Sequence, residues 1–335
     1  MKPSAMHSLL TDLAPAHEPV LIVGSPGIGK SDLVKQVADE LSYNLIVTHP
    51  VVDDPTDYKG MPAVVAREGV PAAQFLPFGD LWKMIEATEP TLVFMDDLGQ
   101  APPAVQAAIM QLILARRINN HPISDHVRFV AATNRREDKA AVAGLISPLV
   151  DRFTTVLTLE FDLNDWVTWG LENGMPAELL AFARHKPDLM NKFEPNREMK
   201  KSPTPRSVAS LGRLVNRGIL DMEVLAGAAG EGYATEFLAF YRTWLKLPSR
   251  EEIYLNPDSA AVPTEPDVLY ALMGSLAYGA QPGNFEQTVR YIRRLPNPEY
   301  GVLCVKDAAH RNPAVAKTRA FTDWVTANSA VMGND

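Results

Sequence analysis

The first 160 residues repeat a two-part pattern in which short, unbroken apolar runs alternate with stretches whose apolar side chains recur every three or four positions. The short runs are residues 19–23 (PVLIV), 44–48 (NLIVT), 91–95 (TLVFM), 127–132 (VRFVAA) and 155–160 (TVLTLE), each bounded by turn or helix signals. Runs of this length, rich in β-branched residues, predict strands buried on both faces. Between them, Leu33, Val34, Val37 and Leu41 share one helical face, as do Val105, Ile109, Leu112 and Ile113. Strands alternating with amphipathic helices predict an α/β domain, a parallel sheet flanked by helices.

After Phe161 the strand pattern stops. NDWVTWGLENG, PAELLAFARH, RSVASLGRLVNRG and EGYATEFLAFYRTWLKL read as helices, interrupted over residues 187–205 by Pro187, Pro195, Pro203 and Pro205. A second proline-rich stretch, LPSREEIYLNPDSAAVPTEP, precedes another helical region in which Leu269, Leu272, Met273 and Leu276 form a stripe. The expected division is an α/β domain over residues 1–161, a helical domain over 162–247 and a C-terminal helical extension over 248–335.

Composition narrows the functional classes. A hydrophobic fraction of 46% with 21% charged residues is that of a soluble, well-packed protein. With 32 basic and 40 acidic side chains the net charge is −8, which weighs against a large nucleic-acid surface. The single cysteine, Cys304, lies in the apolar run YGVLCV and is expected as a buried structural thiol. No segment reaches the roughly 20 apolar residues of a membrane span, and no signal-peptide layout precedes the first strand, so a cytoplasmic location is expected.

Candidate chemistry begins at the end of the first strand. Gly24, Ser25, Pro26, Gly27, Ile28, Gly29, Lys30 and Ser31 fit G-x-x-x-x-G-K-[ST], the Walker A phosphate loop, between a strand and a helix. Glycines let backbone N–H groups turn inward around phosphates, and the helix N-terminus adds partial positive charge. Lys30 can reach β- and γ-phosphates, and the Ser31 hydroxyl can ligate magnesium. ATP with magnesium is therefore the expected ligand. The run TLVFMDD supplies a second site, of Walker B type: Asp96 to hold magnesium and Asp97 to polarise the attacking water. By itself an apolar strand ending in two aspartates is also a common helix N-cap pattern.

Taken together these motifs resemble the AAA+ ATPases of the MoxR type, including the CbbQ-like group that reactivates rubisco. The resemblance spans residues 19 to about 245 and rests on the phosphate loop, LVFMDDLGQAPPAVQAAIMQLI, VRFVAATN, SPLVDRF and TPRSVASLGRLV, in that order. It implies that Asn134 senses the γ-phosphate, that Arg152 is an arginine finger for a neighbouring subunit's nucleotide, and that Arg206 is a lid arginine. On residue type alone Asn134 also reads as a turn residue, and Arg152 and Arg206 as surface arginines. Arg135 and Arg136 read as solvated loop arginines that could instead contact a neighbouring subunit. MPAVVAREGVPAAQFL, with Arg67-Glu68-Gly69 at its centre, and RINNHPISDHV, with Asn119-Asn120-His121-Pro122 near its tip, read as hairpins. The family places both facing the pore of a ring. His121 and His126, without a carboxylate cluster, do not predict a metal site.

The family usually has Asp-Glu where this chain has Asp96-Asp97. A misplacement of about 1 Å can cost on the order of a hundredfold in rate, so the shorter side chain leaves binding intact and puts turnover speed in question. The resemblance implies a ring of identical subunits, expected to be a hexamer, that hydrolyses ATP to remodel or activate a protein client beside a von Willebrand factor A domain partner. Because the phosphate loop begins at residue 24, no separate N-terminal recognition domain is expected. Two alternatives stay open: a nucleic-acid-translocating motor, for which Lys186, Lys192, Arg197, Lys200, Lys201 and Arg206 concentrate positive charge, and a slowly hydrolysing ATP-binding scaffold.

Overall fold

The computed structural model describes residues 1–67, 70–119, 121–138, 144–194 and 200–329, which group into two compact units. Met1–Asp162 form the first; the residues from Leu163 onward form the second, apart from a short segment at Phe193 that falls with the first.

The first unit runs α1 (Pro3–Leu13), β1 (Val20–Val23), α2 (Lys30–Glu40), β2 (Asn44–Thr48), α3 (Pro55–Lys59), β3 (Met61–Arg67), β4 (Val70–Leu76), α4 (Gly79–Glu86) and β5 (Thr91–Met95). It continues with α5 (Pro103–Ala115), β6 (Arg117–Ile118), β7 (His121–Pro122), β8 (Val127–Thr133), α6 (Ser147–Val150) and β9 (Thr155–Thr158). Five strands form one parallel sheet in the order β2-β5-β8-β1-β9. Its two faces follow from strict alternation of side chains along each strand. Val20, Ile22, Leu92, Phe94, Val130 and Ala132 pack on one side with Leu33, Val34 and Val37 of α2. Leu21, Val93, Met95, Phe129 and Ala131 pack on the other with Val105, Ile109, Leu112 and Ile113 of α5. Helices on both faces of a parallel sheet in the order β2-β5-β8-β1-β9, with a phosphate loop after the strand second from one edge, make this a P-loop AAA+ fold.

All five expected strands are present; β2 and β5 match their expected bounds, and the other three differ by one or two residues at one end. The N-terminal helix α1 is an addition to the sequence reading. Its stripe is only two fully buried residues deep, Met6 and Leu10, too thin to stand out as a period. Both expected hairpins form: β3 pairs with β4 and β6 with β7, each antiparallel. Glu68, Gly69 and Asn120 of their expected tips lie outside the described residues. The first ribbon rises between α3 and α4, and Gly60 at its base has φ +88°, where an added Cβ would stand 2.6 Å from the Leu76 carbonyl oxygen. The Asn119 amide donates to the Lys59 carbonyl at 2.8 Å, tying the second hairpin to the base of the first.

Among the described residues the elements of the second unit are all helices: α7 (Leu163–Glu172), α8 (Ala177–His185), α9 (Pro205–Val215), α10 (Met222–Ala229), α11 (Glu231–Trp244), α12 (Arg250–Leu255), α13 (Pro266–Gly279), α14 (Phe285–Ile292), α15 (Pro298–Arg311) and α16 (Arg319–Ala327). The Phe182 ring packs edge-on against Tyr233 and Phe237. The stripe Leu269, Leu272, Met273 and Leu276 is fully buried within α13, which packs against α8 and α15. Across that junction the Arg184 guanidinium donates to both Asp307 carboxylate oxygens, at 2.5 and 2.6 Å. Helices on either side of residue 247 therefore share one packed unit. Cys304 is buried in it, and desolvation pushes its thiol pKa up. In the basic stretch Lys186 faces Glu236 at 3.6 Å, while Arg197 lies outside the described residues. Among the described residues no helix is long and apolar enough to cross a membrane.

Leu10 is 2% exposed against the α2 face. Leu10→Ala should cost about 2–5 kcal/mol, seen as a lower urea midpoint with an unchanged slope. A midpoint equal to wild type would mean that α1 does not support the core.

Candidate functional site

The sheet brings three strand ends to one edge. Register pairs Val23 at the end of β1 with Thr133 at the end of β8, and Met95 at the end of β5 with Ala131. The phosphate loop, the Asp96-Asp97 pair and Asn134 each leave one of these ends, so three segments distant in sequence converge in the crevice beyond the carboxyl ends of the strands.

The loop's own conformation follows from its glycines. Gly27 and Gly29 have φ of 74° and 109°, the left-handed region open to glycine at little cost. Gly24 is enclosed: a Cβ there would stand 3.2 Å from the Leu159 carbonyl oxygen and 3.3 Å from Ile28 Cγ2. Lys30 opens α2, so the unpaired N–H groups of that helix end border the loop.

Lys30 is 6% exposed, and a buried ammonium is tolerated only when its protons are satisfied. Its Nζ donates to the carbonyl oxygens of Gly24 at 2.9 Å and Ser25 at 3.1 Å and to Asn134 Oδ1 at 2.8 Å. Asn134 is buried too, and its Nδ2 donates to Asp97 Oδ1 at 3.2 Å. The Asp97 backbone N–H donates to Asp96 Oδ1 at 3.0 Å, and Ser31 Oγ donates to Asp96 Oδ2 at 2.6 Å. Ser31, Asp96, Asp97, Asn134 and Lys30 thus form one continuous hydrogen-bonded chain. Asp97 has φ 54° and ψ 33°, a left-handed backbone that aspartate adopts more readily than glutamate.

A hydroxyl and a carboxylate oxygen side by side are hard oxygen donors, and magnesium commonly takes one or two such protein ligands, with phosphate and water filling its octahedron. Ser31 and Asp96 fit that role. Among the described residues no cluster of three or more His, Cys, Asp or Glu could hold a metal ion.

Residues 20–161 match the family described as ATPases associated with various cellular activities. This segment is an AAA domain. Two solved structures are similar to this chain at a low level. The RuvB Holliday junction branch migration motor of Thermotoga maritima is 19% identical over 82% of this chain and 80% of that one, with a TM-score of 0.41. NtrX from Brucella abortus, in complex with ADP, is 11% identical over 98% of this chain and 68% of that one, with a TM-score of 0.37. At such scores neither likeness bears on function.

Of the two arginines implied by the resemblance, Arg152 stands apart from that hydrogen-bonded chain. Thr155 pairs with Val20 and the Thr154 N–H donates to the Pro19 carbonyl at 2.9 Å, so Arg152 lies beyond the amino end of β1, across the sheet from the phosphate loop. Its Nε is buried without a hydrogen-bond partner. Arg206 is exposed in the first turn of α9, in the second unit, behind a capping box made by Thr204 and Ser207. Arg135 departs from the solvated reading: it is half-buried and donates to both carboxylate oxygens of buried Asp138, at 3.0 and 2.8 Å. Arg136 is exposed, with its guanidinium lying over Gly144.

Gln106 was not singled out from sequence. It is 1% exposed and fully hydrogen-bonded to backbone on two loops of the AAA domain. The available signal was a lone polar residue on the apolar face of α5, one helical turn from Ile109 and two from Ile113.

Lys30→Ala removes every bond its Nζ makes and the cation a phosphate would meet. At about 1.5–3 kcal/mol per charged hydrogen bond, nucleotide affinity should fall by about a hundredfold or more, measured by titration calorimetry with ATP. Near-normal affinity would sink the assignment of this site.

Proposed function

We propose that the chain is a ring ATPase of the MoxR type that couples ATP binding and hydrolysis to remodelling or activation of a protein client. The observation that carries the reading is the hydrogen-bonded chain from Ser31 through Asp96, Asp97 and Asn134 to Lys30. It supports a site in which the residues that would bind phosphate and the residue that would activate water are mechanically continuous.

In this reading Lys30 exchanges the Gly24 and Ser25 carbonyls for β- and γ-phosphate oxygens, and the inward N–H groups of the loop hold the remaining phosphate charge. Ser31 and Asp96 would hold magnesium, which neutralises charge on the phosphate oxygens. Asp97 accepts the proton of the attacking water, and Asn134 orients it beside the γ-phosphate. Arg206, on the helical lid taken as residues 162–247, closes over the nucleotide. The two hairpins meet the client, and Val64 and Val70 of the first, 78% and 65% exposed, are apolar surface available for it. A cytoplasmic hexamer and a von Willebrand factor A domain partner belong to the same proposal.

The position of Arg152 supports action in trans. The four residues of β1 alone separate the two sheet ends by roughly 10 Å, so a finger beyond the amino end suits a neighbour's nucleotide better than its own. Each complete site would then take Lys30 from one subunit and Arg152 from the next. ATP should consequently raise the mass seen by light scattering at dilute protein; an ATP-independent mass counts against nucleotide-driven assembly. Lys30→Ala and Arg152→Ala subunits, each inactive alone, should regain turnover when mixed one to one with exchange confirmed by labels, with complete interfaces at roughly a quarter of positions. Zero rescue rejects the trans assignment. Turnover stimulated by DNA rather than by protein would favour the nucleic-acid motor.

Asp97→Asn should keep ATP bound and lower turnover by about a hundredfold to ten-thousandfold, since an amide cannot take the proton. Asp97→Glu should also lower it. The aspartate already reaches Asn134 at 3.2 Å, and glutamate is less at ease at φ 54°. A faster Asp97→Glu enzyme would show instead that the short carboxylate limits the rate.

A further inference from the structure

Buried at the start of α5, Gln106 uses both ends of its amide to join two loops. Its Nε2 donates to the Ala101 carbonyl at 3.0 Å and to the Gly144 carbonyl at 3.1 Å, and its Oε1 accepts from the Ile146 N–H at 2.9 Å. Ala101 closes the short turn Leu98–Gln100 that directly follows Asp97. Gly144 and Ile146 lie on the other loop, and Ile146 is the N-cap residue of α6. A backbone bond runs parallel to the side chain, from the Gly144 N–H to the Gly99 carbonyl at 3.2 Å. From Ile146 the path to Arg152 is short and bonded: the Leu149 N–H donates to the Ile146 carbonyl at 2.9 Å, and the Arg152 N–H to the Leu149 carbonyl at 3.1 Å.

A core filler would need no amide at this position, and an amide whose partners are all backbone atoms on two loops fixes their separation. Gly144 has φ +92°, and an added Cβ would stand 2.8 Å from Arg136 Nη2, so the loop is held closely on its other side as well. We infer that Gln106 is a positioning residue that locks the α6 start, and through it Arg152, to the segment following Asp97, so that the finger is held where it meets the next subunit's nucleotide. This inference rests on the trans reading of Arg152.

The test uses the mixed ring. A Lys30→Ala subunit contributes only its finger, and an Arg152→Ala subunit contributes only its nucleotide site. Gln106→Met, close in size and without hydrogen bonds, is introduced into one or the other. In the Lys30→Ala subunit it should cut rescued turnover at least about tenfold, while in the Arg152→Ala subunit it should cut it much less. Equal losses from either side, as a purely structural role would give, or no loss from the finger side, would overturn the inference. Failure of the unsubstituted mixture to show any rescue rejects the trans reading itself and the inference with it. Should Gln106→Met fail to fold, Gln106→Glu retains the size but loses the two donors and serves in its place. Independently of turnover, amide exchange at Ile146 should be at least severalfold faster in the Gln106→Met ring than in the unsubstituted ring; an equal rate also overturns the inference.

Discussion

A buried ammonium holds the site of this AAA domain together. Lys30 lies almost entirely out of water, and its charge is tolerable there because two loop carbonyls and the Asn134 amide oxygen accept its protons. Those bonds close the phosphate loop on itself and join the end of β1 to the end of its neighbour β8. Asn134, fixed in this way, turns its other amide end to Asp97, and Asp96 completes the line to Ser31. The three strand ends therefore form one bonded structure, and the parallel sheet serves mainly to bring them to the same edge. Without a partner for the ammonium, desolvation would open the loop, and Asn134 would lose the contact that orients it.

The same sheet explains why the arginine finger expected at Arg152 is remote. Parallel strands carry all their carboxyl ends to one side, so a residue just before β9 emerges at the other. On the proposed reading, a centre that includes Arg152 draws on a second subunit, and the Gln106 amide gives a short hydrogen-bonded path between the turn after Asp97 and α6. The helical second unit has its own logic. Its α8–α13–α15 junction buries an ion pair whose two bonds satisfy both Asp307 oxygens, so α8 and the C-terminal helices are packed as one. Breaking such a pair leaves an uncompensated buried charge, which disfavours separation of these helices.

What the sequence made legible was whatever is encoded locally. The strands were readable because a strand buried on both faces is an unbroken apolar run, and the phosphate loop because glycine spacing and a lysine are required by backbone geometry near phosphate. The ribbon β3–β4 was readable from two short extended runs around Arg67-Glu68-Gly69. Helix α1 was not, because two buried residues in eleven give no clear period; their burial depends on α2 lying against them. Arg135 looked like any loop arginine, since its partner Asp138 is fixed only when the turn after β8 forms.

The sequence by itself determined that an α/β unit with a phosphate loop precedes a helical region, because strand and helix periods and the loop's spacing are properties of consecutive residues. Only the tertiary structure decided which strands are neighbours, and hence that Asp97 meets Asn134 and that Asn134 meets Lys30 across 104 positions of chain. It also decided that Arg152 falls on the far side of the sheet and that Gln106 faces two loops rather than the core. Strand order and the partners of a buried amide are set by packing between segments distant in sequence, and no local pattern carries that information.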